Sequence, residues 1–225
     1  AEARAAKGQV TKSEAEAITI IDVHLYLDPI SGKKYLYAAV YADGGNYIIG
    51  METGENWTDE PKWETLTRLT RTNYFTPSDL SKENESDLTE RNLNEGPYMY
   101  YKDGLYYLTM SVNYYSTKYY SVVQAVSTSP MGPFRKLSLA EGGKVLASEP
   151  QWDFMGGPGH HSLCEYDGEL YIIYHSHYDR VGGSGVRGSC FDPIVWTKNA
   201  DGLQVMHCNG PTYSPQYLPE AISGY

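Results

Sequence analysis

The chain has 225 residues and a mass of 25.2 kDa, enough to bury a substantial core as one large all-β unit or as two small domains, and too large for a disulfide-stapled miniprotein. Its 18 Lys plus Arg against 28 Asp plus Glu give a net charge of -10, which repels polyanions over most of the surface and excludes nucleic acid as an expected partner. No apolar run approaches the roughly 20 residues that span a bilayer, and the three cysteines Cys164, Cys190 and Cys208 contain no CxxC pair, so no membrane partner, disulfide framework or thiolate zinc cage is indicated.

Residues 1–17, rich in Ala, Glu and Lys, read as an N-terminal extension without a signal-like apolar stretch, so any export signal is already removed or was never present and the compartment stays open. From Ile18 to Tyr225 the pattern changes to short apolar and aromatic runs punctuated by Gly, Asp, Asn and Pro, with little helical periodicity. This reads as one all-β domain over 18–225. Tyrosine is the outlying residue type, 22 against 4 Phe. It suits half-buried strands, and it equally suits the flat faces of sugar rings; composition leaves both readings open.

Three hairpins share one pattern. Asp22 to Asp28 turns at Gly32 into Lys34 to Ala38, Glu95 to Tyr101 turns at Asp103-Gly104 into Tyr106 to Thr109, and His160 to Tyr166 turns at Asp167-Gly168 into Leu170 to Tyr174. The turn glycines lie 72 residues apart (Gly32 to Gly104) and then 64 (Gly104 to Gly168), a spacing that predicts β-propeller blades rather than a sandwich. Asp22, Glu95 and His160 stand 10, 9 and 8 residues before their glycines, and are expected to open the inner strand of each blade. Inner strands line a propeller's channel, so these three side chains are expected to converge at equivalent positions on one axial pocket. Tyr120 to Ser127 predicts a further strand running into the loop Ser129 to Pro133, Cys190 to Trp196 and Leu203 to Met206 predict a last hairpin, and Gly210 to Tyr225 reads as an extended strap.

Gly183-Ser-Gly185-Val-Arg-Gly188 matches a dinucleotide fingerprint in letters, but a β-rich stretch follows it instead of the helix that a phosphate loop needs. Its glycines read as a flexible loop presenting Arg187, either solvated or aimed at vicinal hydroxyls or a carboxylate. Of His160, His161, His175 and His177, strand alternation lets at most three converge, and no acid has ligand spacing, so a zinc hydrolase is disfavoured against one axial histidine near a hard cation or water. No G-x-S-x-G elbow is present. Paired carboxylates remain, with Glu95 ahead of Gly96-Pro97 on an aromatic strand. Glycoside hydrolysis uses such a pair, one carboxylic acid donating to the leaving oxygen and one carboxylate activating water.

Several stretches in order carry a resemblance: Ile21 to His24 with Lys33 to Tyr37, Asn94 to Pro97 with Gly104 to Thr109, Ser127 to Phe134, Gly157 to Ser162, and Tyr174 to His177 through Arg187 to Trp196. The sequence resembles glycoside hydrolase family 43, inverting enzymes on five-bladed β-propellers that cleave arabinose- and xylose-containing polysaccharides. The resemblance implies about three blades of such a propeller, with Glu95 as general acid and Asp22 as the third carboxylate that orients the acid and tunes its ionisation. It implies Arg187 as a sugar contact, with His24 and His161 completing the expected substrate-binding set, and His160 as an axial histidine near bound calcium or water. No cofactor is expected for the chemistry, with a structural calcium at the axis as the one metal considered. The family's general-base Asp belongs to a blade before Asp22, so an N-terminal propeller segment or a second chain is the expected partner, beside an oligosaccharide or polysaccharide substrate. A non-catalytic carbohydrate-binding or assembly protein is the other reading.

Overall fold

The computed structural model describes residues 19–42, 45–70, 93–148, 156–178 and 186–214. The extension over 1–17, Gly183 to Gly185 and the strap from 215 onward lie outside the described residues. Three antiparallel meanders account for nearly all of the rest. The first is β1 (Thr19–Leu27), β2 (Lys34–Ala42), β3 (Gly45–Glu52) and β4 (Thr67–Arg68), paired in that order. The second is β5 (Asn94–Lys102), β6 (Leu105–Val112), β7 (Ser121–Ser127) and β8 (Arg135–Lys136), with β9 (Lys144–Leu146) also on β7. The third is β10 (Gly156–Tyr166), β11 (Glu169–His177), β12 (Arg187–Lys198) and β13 (Gln204–Cys208). This is a partial β-propeller of three blades, and no described helix is long and apolar enough to cross a membrane.

The turn chemistry explains two of the hairpins directly. Asp103 and Gly104 have φ of 50° and 85°, and Asp167 and Gly168 have 50° and 79°. Two successive positive φ values make the type I′ turn whose twist matches that of paired strands. The first hairpin has a longer connection, closed by Asp28. That carboxylate accepts the Ile30 and Ser31 amides at 3.2 and 3.1 Å, the Ser31 hydroxyl at 2.5 Å and, from the second blade, the Tyr106 hydroxyl at 2.8 Å. Burial pushes the Asp28 carboxyl up, but these donors outweigh it and hold it below its ordinary range.

Blades pack face to face through two apolar layers. Tyr37, Ala39, Ile48, Met99, Leu108 and Met110 lie between the first and second blades. Val122, Val145, Leu163, Ile172, Ile194 and Met206 lie between the second and third. Tyrosine supplies polar rungs across these layers. Tyr37 donates to Pro130 O at 2.9 Å, Tyr107 to Gln204 O at 2.9 Å, and Tyr100 to Glu165 Oε1 at 2.7 Å. In these three, flat rings fill the space between sheets while each hydroxyl meets an acceptor that a leucine or phenylalanine would leave empty. The outward faces of the end blades carry exposed Val23, Leu25 and Leu27 on one side and Ile173 and Val195 on the other.

Two histidines belong to this packing. His24 lies 4.1 Å from the Tyr98 ring and 6.2 Å from Tyr37, centroid to centroid, and burial lowers it to about 4 against a partly offsetting hydrogen bond to the Met99 backbone. His161 is buried, with Nε2 2.6 Å from Thr109 Oγ1. Because the Thr109 hydroxyl donates to Tyr98 O, it accepts from His161, and burial followed by the neighbouring histidines lowers that imidazole to about 3. An unfolded histidine titrates near 6.5. Below that pH the unfolded chain takes up a proton that folded His161 refuses until about pH 3, so its contribution is fully present above pH 6.5 and lost as pH falls. His161→Gln should flatten the decline of the unfolding free energy from denaturant titrations between pH 6.5 and 4, by about 1.4 kcal/mol per pH unit. A slope identical to that of the parent chain would reject this assignment.

Candidate active site

Each inner strand carries the same irregularity. The β1–β2 register slips between Ile21 and His24, β5–β6 between Glu95 and Tyr98, and β10–β11 on either side of Gly159. A bulge of this kind re-aims side chains. Asp22, Gly96 and His160 sit at equivalent places in it, with φ of 56°, 54° and 51°. The repeat is therefore real, but its equivalences differ from the sequence reading: the counterpart of Asp22 and His160 is Gly96, and Glu95 stands one residue earlier, level with Ile21 and Gly159. The longer first turn puts Asp22 ten residues before its glycine, whereas Gly96 and His160 both stand eight before theirs, so Glu95 at nine is one place off by count as well. Non-glycine residues in the left-handed region are uncommon and carry strain that the surroundings must hold. Both Asp22 and His160 are of this kind.

The displaced Glu95 still shares the pocket. Asp22 Oδ2 accepts the Gly96 amide at 3.0 Å, so the carboxylate of the first blade grips the backbone immediately after Glu95. Asp22 Oδ1 lies 3.6 Å from His160 Nε2. Glu95, only 7% exposed, accepts the Tyr41 hydroxyl on Oε2 at 2.9 Å and the Tyr120 hydroxyl on Oε1 at 2.6 Å. Asn94 fixes the strand in front of it: its amide donates to Asn46 Oδ1, and its own Oδ1 accepts from Lys136, both at 2.6 Å. A buried carboxyl held on both oxygens, beside a second carboxylate and a half-exposed imidazole, can deliver a proton to a ligand in the channel. Tyr41 and Tyr120 were not singled out from sequence. They reach Glu95 from 54 and 25 residues away, and nothing in the pattern of either strand marks them.

Arg187 opens β12 opposite His177, so it is held by a strand and not by the flexible loop expected. Its guanidinium, which has donors alone, lies 3.3 Å from His175 Nε2 and over the Tyr115 ring at 5.4 Å. Burial, then Arg187, then the His160 and His177 rings lower His175 to about 4. His175 in turn stacks on Tyr120 at 5.5 Å, which links Arg187 to the Glu95 cluster. Tyr114, Tyr115 and Tyr178 are exposed around it. His24 and His161 are not brought to this cluster; both are engaged between blades, with Tyr98 as a common neighbour. His177 Nε2 donates to Tyr115 O at 2.8 Å. Since a carbonyl only accepts, the proton is on that nitrogen.

Beside His160 stands one carboxylate, that of Asp22, whose other oxygen accepts the Gly96 amide. Among the described residues no group of three or more His, Cys, Asp and Glu side chains could hold a metal ion.

The profile of glycosyl hydrolases family 43 matches residues 3–202. A curated protein of Aspergillus niger, named beta-D-galactofuranosidase xynD, is 30% identical over 121 residues, which is 53% of this chain and 34% of that protein. The solved structure of a thermostable family-43 glycoside hydrolase is 28% identical with a TM-score of 0.65, covering 90% of this chain and 62% of the other. That of an endo-1,4-beta-xylanase from Bacteroides thetaiotaomicron is 27% identical with a TM-score of 0.63, covering 85% and 58%. An alpha-L-arabinofuranosidase from Lactobacillus brevis, 19% identical with a TM-score of 0.57, shares the fold. The chain thus spans about a third of the length of the curated relative and less than two thirds of these solved chains.

Proposed function

Because the chain belongs to glycosyl hydrolases family 43, we propose that it is the acid-bearing part of an inverting glycosidase acting on arabinose- or xylose-containing polysaccharides or their oligosaccharides, with α-L-arabinofuranosidase or β-xylosidase as the activity. The observation that carries this is Glu95, buried with each oxygen on a tyrosine hydroxyl and its following amide on Asp22. Glu95 protonates the glycosidic oxygen as the bond to the anomeric carbon breaks, the bonding pair leaving with that oxygen. Asp22 acts through the Gly96 backbone and the shared pocket to hold the acid in place. Arg187, backed by His175 and flanked by exposed Tyr114, Tyr115 and Tyr178, offers a planar set of donors and apolar faces to a sugar ring.

The general base is proposed to come from an N-terminal propeller segment or a second chain. Asp22, the second carboxylate of the cluster, is committed to the Gly96 amide. Asp28, the other acid of the first hairpin, is spent on its turn and on Tyr106. The exposed Val23, Leu25 and Leu27 face gives such a segment an apolar sheet to pack on.

Hydrolysis of aryl α-L-arabinofuranosides and aryl β-D-xylosides by the assembled particle tests the activity, with proton NMR of the first-formed anomer testing inversion. Saturable binding of arabino- or xylo-oligosaccharides with no turnover of either glycoside would favour the non-catalytic carbohydrate-binding reading instead.

A further inference from the structure

Tyr120 is placed by features that fix its ring and leave its hydroxyl free to turn. The residue is fully buried and stacked on His175. The ring lies where a Cβ at residue 159 would stand, so Gly159 is required for its position. Its hydroxyl has Glu95 Oε1 at 2.6 Å and His160 Nδ1 at 3.5 Å as acceptors within reach, with the Ser111 hydroxyl, which receives the His160 amide, beside it as a donor to the phenol oxygen. Tyr41, on the other oxygen, meets Glu95 Oε2 at 2.9 Å.

We propose that Tyr120 is a two-position positioning residue for the acid: its hydroxyl donates to Glu95 Oε1 when Glu95 is a carboxylate and turns to His160 Nδ1 when Glu95 is protonated, so that Oε1 is the oxygen that carries the transferable proton. This rests on the reading of Glu95 as the acid and adds which atom donates and what frees it. A protonated oxygen has no need of a donor and must aim its own O–H at the substrate, so one of the two phenols has to release it. Tyr120 has somewhere to go. Asp22 lies on the Nε2 side of His160, which favours the neutral ring's proton there and leaves Nδ1 as the acceptor. On transfer, the Oε1–H bond breaks, the leaving oxygen gains the proton and the pair from the broken glycosidic bond, and the Tyr120 hydroxyl returns to the new carboxylate. Phenol, imidazole and Asp22 carboxylate exchange no protons; only the phenol O–H turns.

Among the described residues the titratable groups at the Glu95 carboxyl are Asp22 on β1, Tyr41 on β2, Tyr114 and Tyr120 before β7 and His160 on β10, with His175 on β11 behind Tyr120. The consequence is an asymmetry between the two phenols. Tyr41 bonds Glu95 in both protonation states, whereas Tyr120 bonds the carboxylate alone.

The test is titration of the Glu95 carboxyl carbon by NMR in the full chain labelled with 13C-glutamate, its signal identified by loss in Glu95→Gln. Tyr120→Phe keeps the ring and should raise the midpoint by about one pH unit, a ten-fold change in proton affinity, while Tyr41→Phe moves it by less than half as much. His160→Asn tolerates the left-handed backbone, removes the second acceptor and should move the midpoint in the opposite direction, downward. In the active assembly, Tyr120→Phe should shift the alkaline limb of the pH–rate profile upward by the same amount and lower kcat on poor leaving groups on the order of ten-fold, with KM little changed. A Tyr41→Phe shift equal to or larger than that of Tyr120→Phe, or no shift with Tyr120→Phe, overturns the proposal. Loss of activity in Glu95→Gln without dependence on the leaving group overturns the acid reading instead, and the titration still decides the hydroxyl switch.

Discussion

Glu95→Gln lowers kcat on aryl glycosides with poor leaving groups by about 10²- to 10⁴-fold, while substrates whose leaving group needs no proton lose far less. The amide keeps the side chain's volume in a site that is 7% exposed, so binding and KM change little. It also keeps only one acceptor oxygen. One of the two phenols, Tyr41 or Tyr120, then faces an NH₂ group, and Tyr120 is the one with a second acceptor, in His160 Nδ1. A stability loss of about 1–3 kcal/mol accompanies the change if the displaced phenol finds no partner. Equal losses of kcat on both substrate types would remove Glu95 from the acid role, and Asp22 would become the acid to examine.

The second large effect concerns completeness of the site. A monomer built on the three blades β1–β4, β5–β9 and β10–β13 is expected to hydrolyse neither arabinofuranoside nor xyloside, with turnover appearing when an N-terminal propeller segment or second chain bearing a channel aspartate is supplied. An inverting mechanism needs a base roughly 6.5–9.5 Å from the acid, with a water between them. Asp22 is a poor candidate for that base because its Oδ2 already accepts the Gly96 amide and its Oδ1 faces His160. The apolar side chains exposed on both end blades also favour association, since sheet faces bearing Val23, Leu25 and Leu27, or Ile173 and Val195, gain by being covered. Changing the supplied aspartate to asparagine should abolish the restored activity without dissolving the complex. Full activity from a particle shown by light scattering to be a monomer of this chain would overturn the expectation.

Local patterns were legible before any coordinates. Asp103-Gly104 and Asp167-Gly168 announced their hairpins because the type I′ turn asks for residues tolerant of positive φ, and alternation in Tyr120 to Ser127 announced β7 with its end one residue off. The 64-residue spacing between those two turns carried the blade repeat. Short partners did not announce themselves: β3, β4, β8 and β9 went unmarked, being brief or held in place by pairing with β2, β3 and β7. Cooperation between strands forms them, and their own composition does not demand it.

At the site, residue types pointed to chemistry and packing decided the assignments. Glu-Gly-Pro and Ile-Asp drew attention to Glu95 and Asp22 through the family resemblance, and the structure places the Asp22 carboxylate on the amide that follows Glu95. Glu95 stands one place before the position that Asp22 and His160 occupy, an offset already present in its nine-residue distance from Gly104 against eight for His160 from Gly168, whereas the hydrogen-bond register decides where the shared bulge aims each side chain. Likewise His24 and His161 looked available to a sugar, yet the closing of adjacent blades around Tyr98 drew both into the protein. Tyr41 meets Glu95 only once the first two blades stack, and Tyr120 only once β6 and β7 fold back beside β5, so neither hydrogen bond, across 54 or 25 residues, leaves a periodic trace along the chain.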